Sequence, residues 1–147
     1  MQVTPSGETV IVPRNFKLLE ELEKMEKGNT EMAISFGLVD GADVLMSNWN
    51  GGILGPHNSQ HDGRFYELMI YCPDSYPASP PEVKFVSRIS MTCVDSKTGK
   101  VNFRKVNSLP KQWNRNMGIE QVLVALRHEM QLPENRKLKQ PSEGSVF

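Results

Sequence analysis

Cysteine is scarce. The 147 residues include only Cys72 and Cys93, too few for the disulfide framework of a small secreted protein. Neither sign of charge is in excess: 17 Lys and Arg balance 17 Asp and Glu. With no Lys/Arg-rich run either, the chain lacks the electrostatic footprint of a nucleic-acid binder and any polybasic membrane signal. No apolar stretch approaches the ~20 residues of a membrane span, and Met1 to Gly7 carries no apolar signal core. Repeats and low-complexity blocks are missing too. What remains is a globular composition, 38% hydrophobic and 23% charged. A chain of this size buries about 68–70% of its unfolded surface, so a single domain over 1–147 needs no staple. The expectation is a soluble intracellular domain with no cofactor, no nucleic-acid partner and no membrane partner.

The first helix is well marked. Pro13 suits the first helical position and Gly28 the left-handed residue beyond the end. Between them Leu18, Leu22 and Met25 recur at helical spacing with Leu19 beside them, and Glu20–Lys24 and Glu23–Lys27 are favourable i,i+4 pairs. Phe16 falls outside that stripe. At about 100° per residue it lies roughly 130° from the stripe's centre. A large aromatic so placed either packs on a neighbouring loop or is offered to a partner.

Four strand-like segments follow. Glu31 to Val39 alternates Met32, Ile34, Phe36 and Leu38 with Ala33, Ser35 and Gly37. Val44 to Asn50 is the second, reaching Trp49 before a corner at Gly51-Gly52. Phe65 to Cys72 is the third, with Tyr66, Leu68, Ile70 and Cys72 as its core face; Phe65, Glu67, Met69 and Tyr71 make an unusually apolar outer face. Glu82 to Ser87, around Val83, Phe85 and Val86, is the fourth. A helix followed by four strands at meander spacing predicts an α+β fold with one sheet face covered and one open. Ser90 to Asn116 shows no clean period. A second helix spans Met117 to Met130, with Asn116 as its N-cap and Ile119, Val122, Leu123, Leu126 and Met130 as its stripe. Pro133 ends it, and residues 1–10 and 134–147 read as extended tails.

Most isolated chemical signals fail. His57 and His61 have HxxxH spacing but lie in a Gly/Pro loop without a third ligand, so no metal is expected. Lys97-Thr98-Gly99-Lys100 lacks the upstream glycine and the Lys-Ser/Thr ending of a phosphate loop and reads as a turn. His128 near a helix C-terminus needs no role beyond favouring the dipole. Cys72 reads as a small buried hydrophobe. Cys93 sits in the irregular segment, but Thr92 and Val94 offer no activating base or cation, and Asp95 would raise its pKa.

Three spaced motifs, in order, resemble those of ubiquitin-conjugating domains: Trp49-Asn50-Gly51-Gly52-Ile53-Leu54-Gly55-Pro56, then Tyr76-Pro77-Ala78-Ser79-Pro80-Pro81, then Trp113 followed by the helix through Leu126. The opening Val12 to Leu22 and the segments Pro133-Glu134-Asn135 and Pro141 to Gly144 are similar to the family's non-catalytic branch, the ubiquitin-conjugating enzyme variants. The likeness covers nearly the whole chain. It implies an N-terminal helix, a four-stranded antiparallel meander and a crossover helix, without the two further helices that usually follow in active members.

The resemblance also implies lost chemistry. Active members have a His-Pro-Asn turn, whose Asn stabilises the oxyanion, and a later Cys that carries ubiquitin as a thioester. Here Ile89-Ser90-Met91-Thr92-Cys93 takes the first place, with Met91 and Cys93 at its degenerate positions, and Asn102 stands at the nucleophile. An amide forms no thioester, and losing an oxyanion donor alone costs roughly 10²–10³ in rate. The implied role is that of a cofactor in a heterodimer with an active conjugating enzyme. It would hold acceptor ubiquitin non-covalently while the partner builds lysine-sixty-three-linked chains. Phe16, flanked by Arg14 and Pro13, matches the partner-docking aromatic; Ser35, Phe65 and Asn50 match positions that contact acceptor ubiquitin. By analogy the setting is cytoplasm and nucleus, with DNA repair among the processes served. Two other readings are a variant domain binding Pro-rich peptides and a divergent active enzyme using Cys93.

Overall fold

In the computed structural model, residues 2–3, 9–10 and 13–147 are described, the first two pairs by their backbone alone. Where residues 1–10 are expected to run as an extended tail, β1 (Gln2–Val3) and β2 (Thr9–Val10) pair antiparallel. Helix α1 runs Arg14–Glu26. It is followed by strands β3 (Ile34–Leu38), β4 (Asn48–Leu54), β5 (Phe65–Tyr71) and β6 (Glu82–Phe85). These four form one antiparallel meander in sequential order. Helix α2 (Ile119–Glu129) crosses the same sheet face as α1, and α3 (Pro133–Arg136) is a single turn after it.

The core lies between the helices and one sheet face. Leu18 of α1 is fully buried, with Leu22 and Met25 packed against the core as the helical spacing predicts. Trp49, Ile53, Leu68, Ile70, Val83 and Phe85 form the sheet's contribution, and Ile119, Leu123 and Leu126 close it from α2. Such burial is worth about 1.5–3 kcal/mol per large apolar side chain. The other face of the sheet is open. Ser35, Asn50, Phe65, Met69 and Tyr71 all point outward there.

Several expectations need correction. The second strand begins at Asn48, and Gly51-Gly52 lies within it instead of ending it. Residues before it are held as turns: Asp40 accepts from Ala42 N, and Asp43 accepts from the amides of Leu45 and Ser47. Glycine at 51 answers to packing, because a Cβ there would sit 3.0 Å from Ile70 Cδ1 and 3.6 Å from Leu123 Cδ2. Helix α2 starts after Gly118 and not at Asn116, whose amide is taken by Asn114 Oδ1. Lys24 pairs across the fold with Glu120 at 2.7 Å, not with Glu20 along its own helix.

The segment 134–147 is docked as well. Asn135 is fully buried, accepting from Thr92 N and donating to the Glu129 carbonyl, both at 2.9 Å. Gln140 bonds both backbone groups of Ser90. Val146 bridges to Ser87, and Phe147 packs against the core. Pro133 accordingly starts a turn in addition to ending the preceding helix.

Candidate functional site

Three places bear on function: the first turn of α1, the cleft beside Cys93, and the open sheet face. At the first, Phe16 is 62% exposed, which resolves its two readings in favour of solvent over a covering loop. Arg14, expected beside Phe16 as a flanking contact residue, also has a task within the fold. Its guanidinium donates to the carbonyls of Pro73 (2.9 Å), Cys72 (2.8 Å) and Leu45, and to Ser47 Oγ (3.1 Å). A planar fork of donors suits this use. Arg14 thereby fastens the start of α1 to two loops and fixes the turn that carries Phe16. Pro13 is exposed beside it as the helix N-cap.

The chain folds the segment after β6 so that Cys93 and Asn102 meet. Asn102 N donates to the Cys93 carbonyl at 2.8 Å, and Val94 bridges to Val101. The two line a cleft of about 530 Å³ with Pro81, Val83, Thr92 and Lys105. Cys93 itself is 1% exposed, and burial pushes its thiol up to about 12, with the nearby Glu129 carboxylate adding to the shift. A thiol so placed is neutral at pH 7 and a poor nucleophile. Cys72 is equally buried, and its thiol is also raised to about 12 by desolvation. Met91 is buried in the core. Asn102 faces solvent and has a local task that the sequence reading missed: its Oδ1 accepts from Arg104 N at 3.0 Å, capping the 3-10 turn Phe103–Lys105. An Asn two residues before an amide that needs a partner is the available signal.

Glu21, which no local sequence pattern singles out, joins α1 to two distant segments. Its buried carboxylate accepts from the Tyr76 hydroxyl at 2.5 Å and from Ile119 N at 2.6 Å. One side chain thus ties α1 to the Tyr-Pro turn and supplies the N-cap acceptor that Gly118 lacks. Burial raises its pKa above 4.5, partly countered by these two hydrogen bonds. Trp113 stacks on Phe103 and donates to the Pro77 carbonyl at 2.6 Å, closing the same side.

On the open face, Ser35, Asn50 and Phe65 come together. They line one concavity of about 400 Å³ with Gly37, Glu67 and Val86. The register explains it: Ser35 lies opposite Gly52, and Asn50 opposite both Gly37 and Met69. Phe65 keeps 58% of its surface exposed. The two loop histidines diverge: His57 is exposed beside Asp62, and His61 is fully buried, its imidazole pushed down to about 4 by desolvation.

Comparison with known proteins gives a consistent picture. The family model described as ubiquitin-conjugating enzyme matches residues 17–145. The Schizosaccharomyces pombe protein named ubiquitin-conjugating enzyme spm2 is 53% identical over 136 residues, covering 92% of this chain and 97% of its own. The Arabidopsis thaliana ubiquitin-conjugating enzyme E2 variant 1C is 49% identical, covering 97% of both chains. The Saccharomyces cerevisiae ubiquitin-conjugating enzyme variant MMS2 is also 49% identical, over 92% of this chain and 98% of its own. Among solved structures, human ubiquitin-conjugating enzyme E2 G1 superposes with a TM-score of 0.72 at 27% identity, over 84% of this chain and all of that one.

Proposed function

The chain belongs to the ubiquitin-conjugating enzyme family, and we propose that within it this protein is a non-catalytic subunit that orients acceptor ubiquitin for an active partner. The observation that carries this reading is the cleft at Cys93 and Asn102: its one thiol is buried and neutral, and the exposed side chain beside it is an amide engaged in capping a turn. Nothing there forms a thioester. Full-length relatives that carry the name of variants support the same conclusion.

The active enzyme supplies the charged cysteine. A lysine amine of the acceptor attacks the partner's thioester carbonyl, an N–C bond forms, the C–S bond breaks, the thiolate leaves, and the proton lost from the amine passes to solvent. This chain contributes position. Phe16 on its fixed turn docks the partner, and Ser35, Asn50 and Phe65 hold ubiquitin so that one lysine alone, lysine-sixty-three, reaches the thioester. Well-oriented reactants gain effective molarities of up to ~10⁵–10⁸ M, so orientation is a sufficient contribution. The proposed setting is cytoplasm and nucleus.

The concavity is open and mixed in character, with Ser35, Asn50 and Glu67 beside the apolar Phe65 and Val86. Titration of the labelled protein with ubiquitin is expected to shift the amides of Ser35, Asn50 and Phe65 while leaving those of α2 still. Phe65→Ala is expected to weaken binding about 5- to 30-fold, the loss of one aromatic contact worth about 1–2 kcal/mol. Shifts confined to the Cys93 cleft, seen with a Pro-rich peptide and not with ubiquitin, would favour the peptide-binding reading.

A further inference from the structure

Alternation along β4 places Gly52 on the open face with Asn50 and Leu54, both exposed, yet Gly52 is buried. Its cover is the ring of Phe65. A Cβ at position 52 would lie 2.4 Å from the ring's Cζ, 2.9 Å from Cε2 and 2.8 Å from Ser35 Oγ. Phe65 pairs directly with Leu54, so its ring leans back diagonally, across the bare backbone of β4, towards β3. Gly51 next door is different, since its missing side chain makes room for core atoms on the opposite face. Glycine at 52 thus serves the surface and not the interior.

We propose that Gly52 is a positioning residue for acceptor binding: its absent Cβ leaves the space that the Phe65 ring takes up beside Ser35, and the ring so placed forms one wall of the concavity. The inference rests on the reading that this face receives ubiquitin. With position 52 bare, the ring lines the concavity together with Ser35 and Asn50. An added methyl lifts the ring, whose Cζ is the nearest atom in its way, and so moves the wall.

The fold tolerates that methyl. Gly52 does not take the positive φ that penalises L side chains, and both groups in its way are ends of rotatable side chains. Gly52→Ala is therefore expected to unfold at the wild-type temperature or slightly above it, while binding ubiquitin ~10-fold more weakly. Because the methyl acts through the ring, the two positions are not independent. The double variant Gly52→Ala/Phe65→Ala is expected to bind as Phe65→Ala alone does. In the free protein, the Gly52 Hα resonances should carry a ring-current shift that Phe65→Leu removes.

The test is a ubiquitin titration of the wild type, both single variants and the double variant, with the Gly52 Hα shifts compared between the wild type and Phe65→Leu. A loss in Gly52→Ala that vanishes in the Phe65→Ala background supports the inference. Unchanged binding of Gly52→Ala, or losses that add in the double variant, overturns it. If Phe65→Ala weakens binding and Gly52→Ala does not, the ubiquitin reading stands and this inference alone falls. If the wild type binds no ubiquitin, both fall together.

Discussion

Phe16→Ala is expected to lower affinity for the partner conjugating enzyme by ~30- to 700-fold with little change in the stability of the free protein. A buried aromatic anchor in an interface is worth about 2–4 kcal/mol, whereas removing an exposed side chain usually changes folding free energy by no more than about 0.5 kcal/mol. Phe16 meets both conditions. Its ring is exposed and lies off the stripe of Leu18, Leu22 and Met25 that buries α1. The ring is also presented on a fixed support, because Arg14 holds the first turn to the carbonyls of Leu45, Cys72 and Pro73. Preorganisation of this kind reduces the ordering cost on association. Calorimetric titration against the partner checks the prediction. Wild-type affinity in the alanine variant would mean that α1 is not the docking element.

The second large effect concerns stability. Glu21→Ala is expected to cost about 3–5 kcal/mol and to lower Tm by roughly 10 °C, because it strands the Tyr76 hydroxyl and the Ile119 amide, each a buried donor worth about 1–3 kcal/mol when unpaired. Removing the acceptor at Ile119 also strips α2 of its N-cap partner, a further contribution of about 1 kcal/mol within that total. Glu21→Gln keeps an acceptor and the shape, and its cost is expected to be smaller. It has a distinct signature with pH. Since burial raises the pKa of Glu21 in the folded state above 4.5, the folded protein binds more protons than the unfolded chain just above that value. Ionisation of Glu21 therefore makes stability fall as pH rises from about 4.5 through the folded-state pKa. Urea denaturation across that range should show this component in the wild type and not in Glu21→Gln. Identical pH profiles would contradict the role assigned to the carboxylate.

The contrast between Phe16 and Glu21 illustrates what a sequence discloses. Phe16 stood out because helical geometry is local, and a residue two positions from Leu18 has a calculable direction. The same holds for β5, where strict alternation separates Tyr66, Leu68 and Ile70 from Phe65, Glu67 and Met69 over the whole strand. Glu21 is another matter. It sits on a helix rich in solvated acids, and only its meeting with Tyr76 and Ile119, 55 and 98 positions away, distinguishes it. The displaced start of β4 has a similar origin. Glycines ordinarily signal a turn, and the reason for Gly51 and Gly52 in a strand lies in Ile70 on one face and Phe65 on the other.

The functional positions divide along the same line. Ser35, Asn50 and Phe65 were found by family resemblance, and the strand register then brings them to one concavity. The family resemblance places Arg14 beside Phe16 as a contact residue; its bonds to distant carbonyls are invisible in the sequence and add the role of a support. Asn102 stands out only through the family resemblance, which implies a cysteine at that position. Its capping of the turn at Phe103–Lys105 gives the amide a structural reason to be there. The 134–147 segment looked like a tail because it is polar, yet Asn135 and Gln140 are among the residues that anchor it.

One reconstitution decides whether this chain supplies orientation and no covalent chemistry. Purified protein, partner conjugating enzyme, activating enzyme, ubiquitin and ATP are combined in full and with each component omitted, and both reducible thioesters and free chains are followed. The expected result is a thioester on the partner alone, together with lysine-sixty-three-linked chains that require both proteins. A thioester on this chain, or chains made at the same rate and with the same linkage without it, would contradict the proposed function.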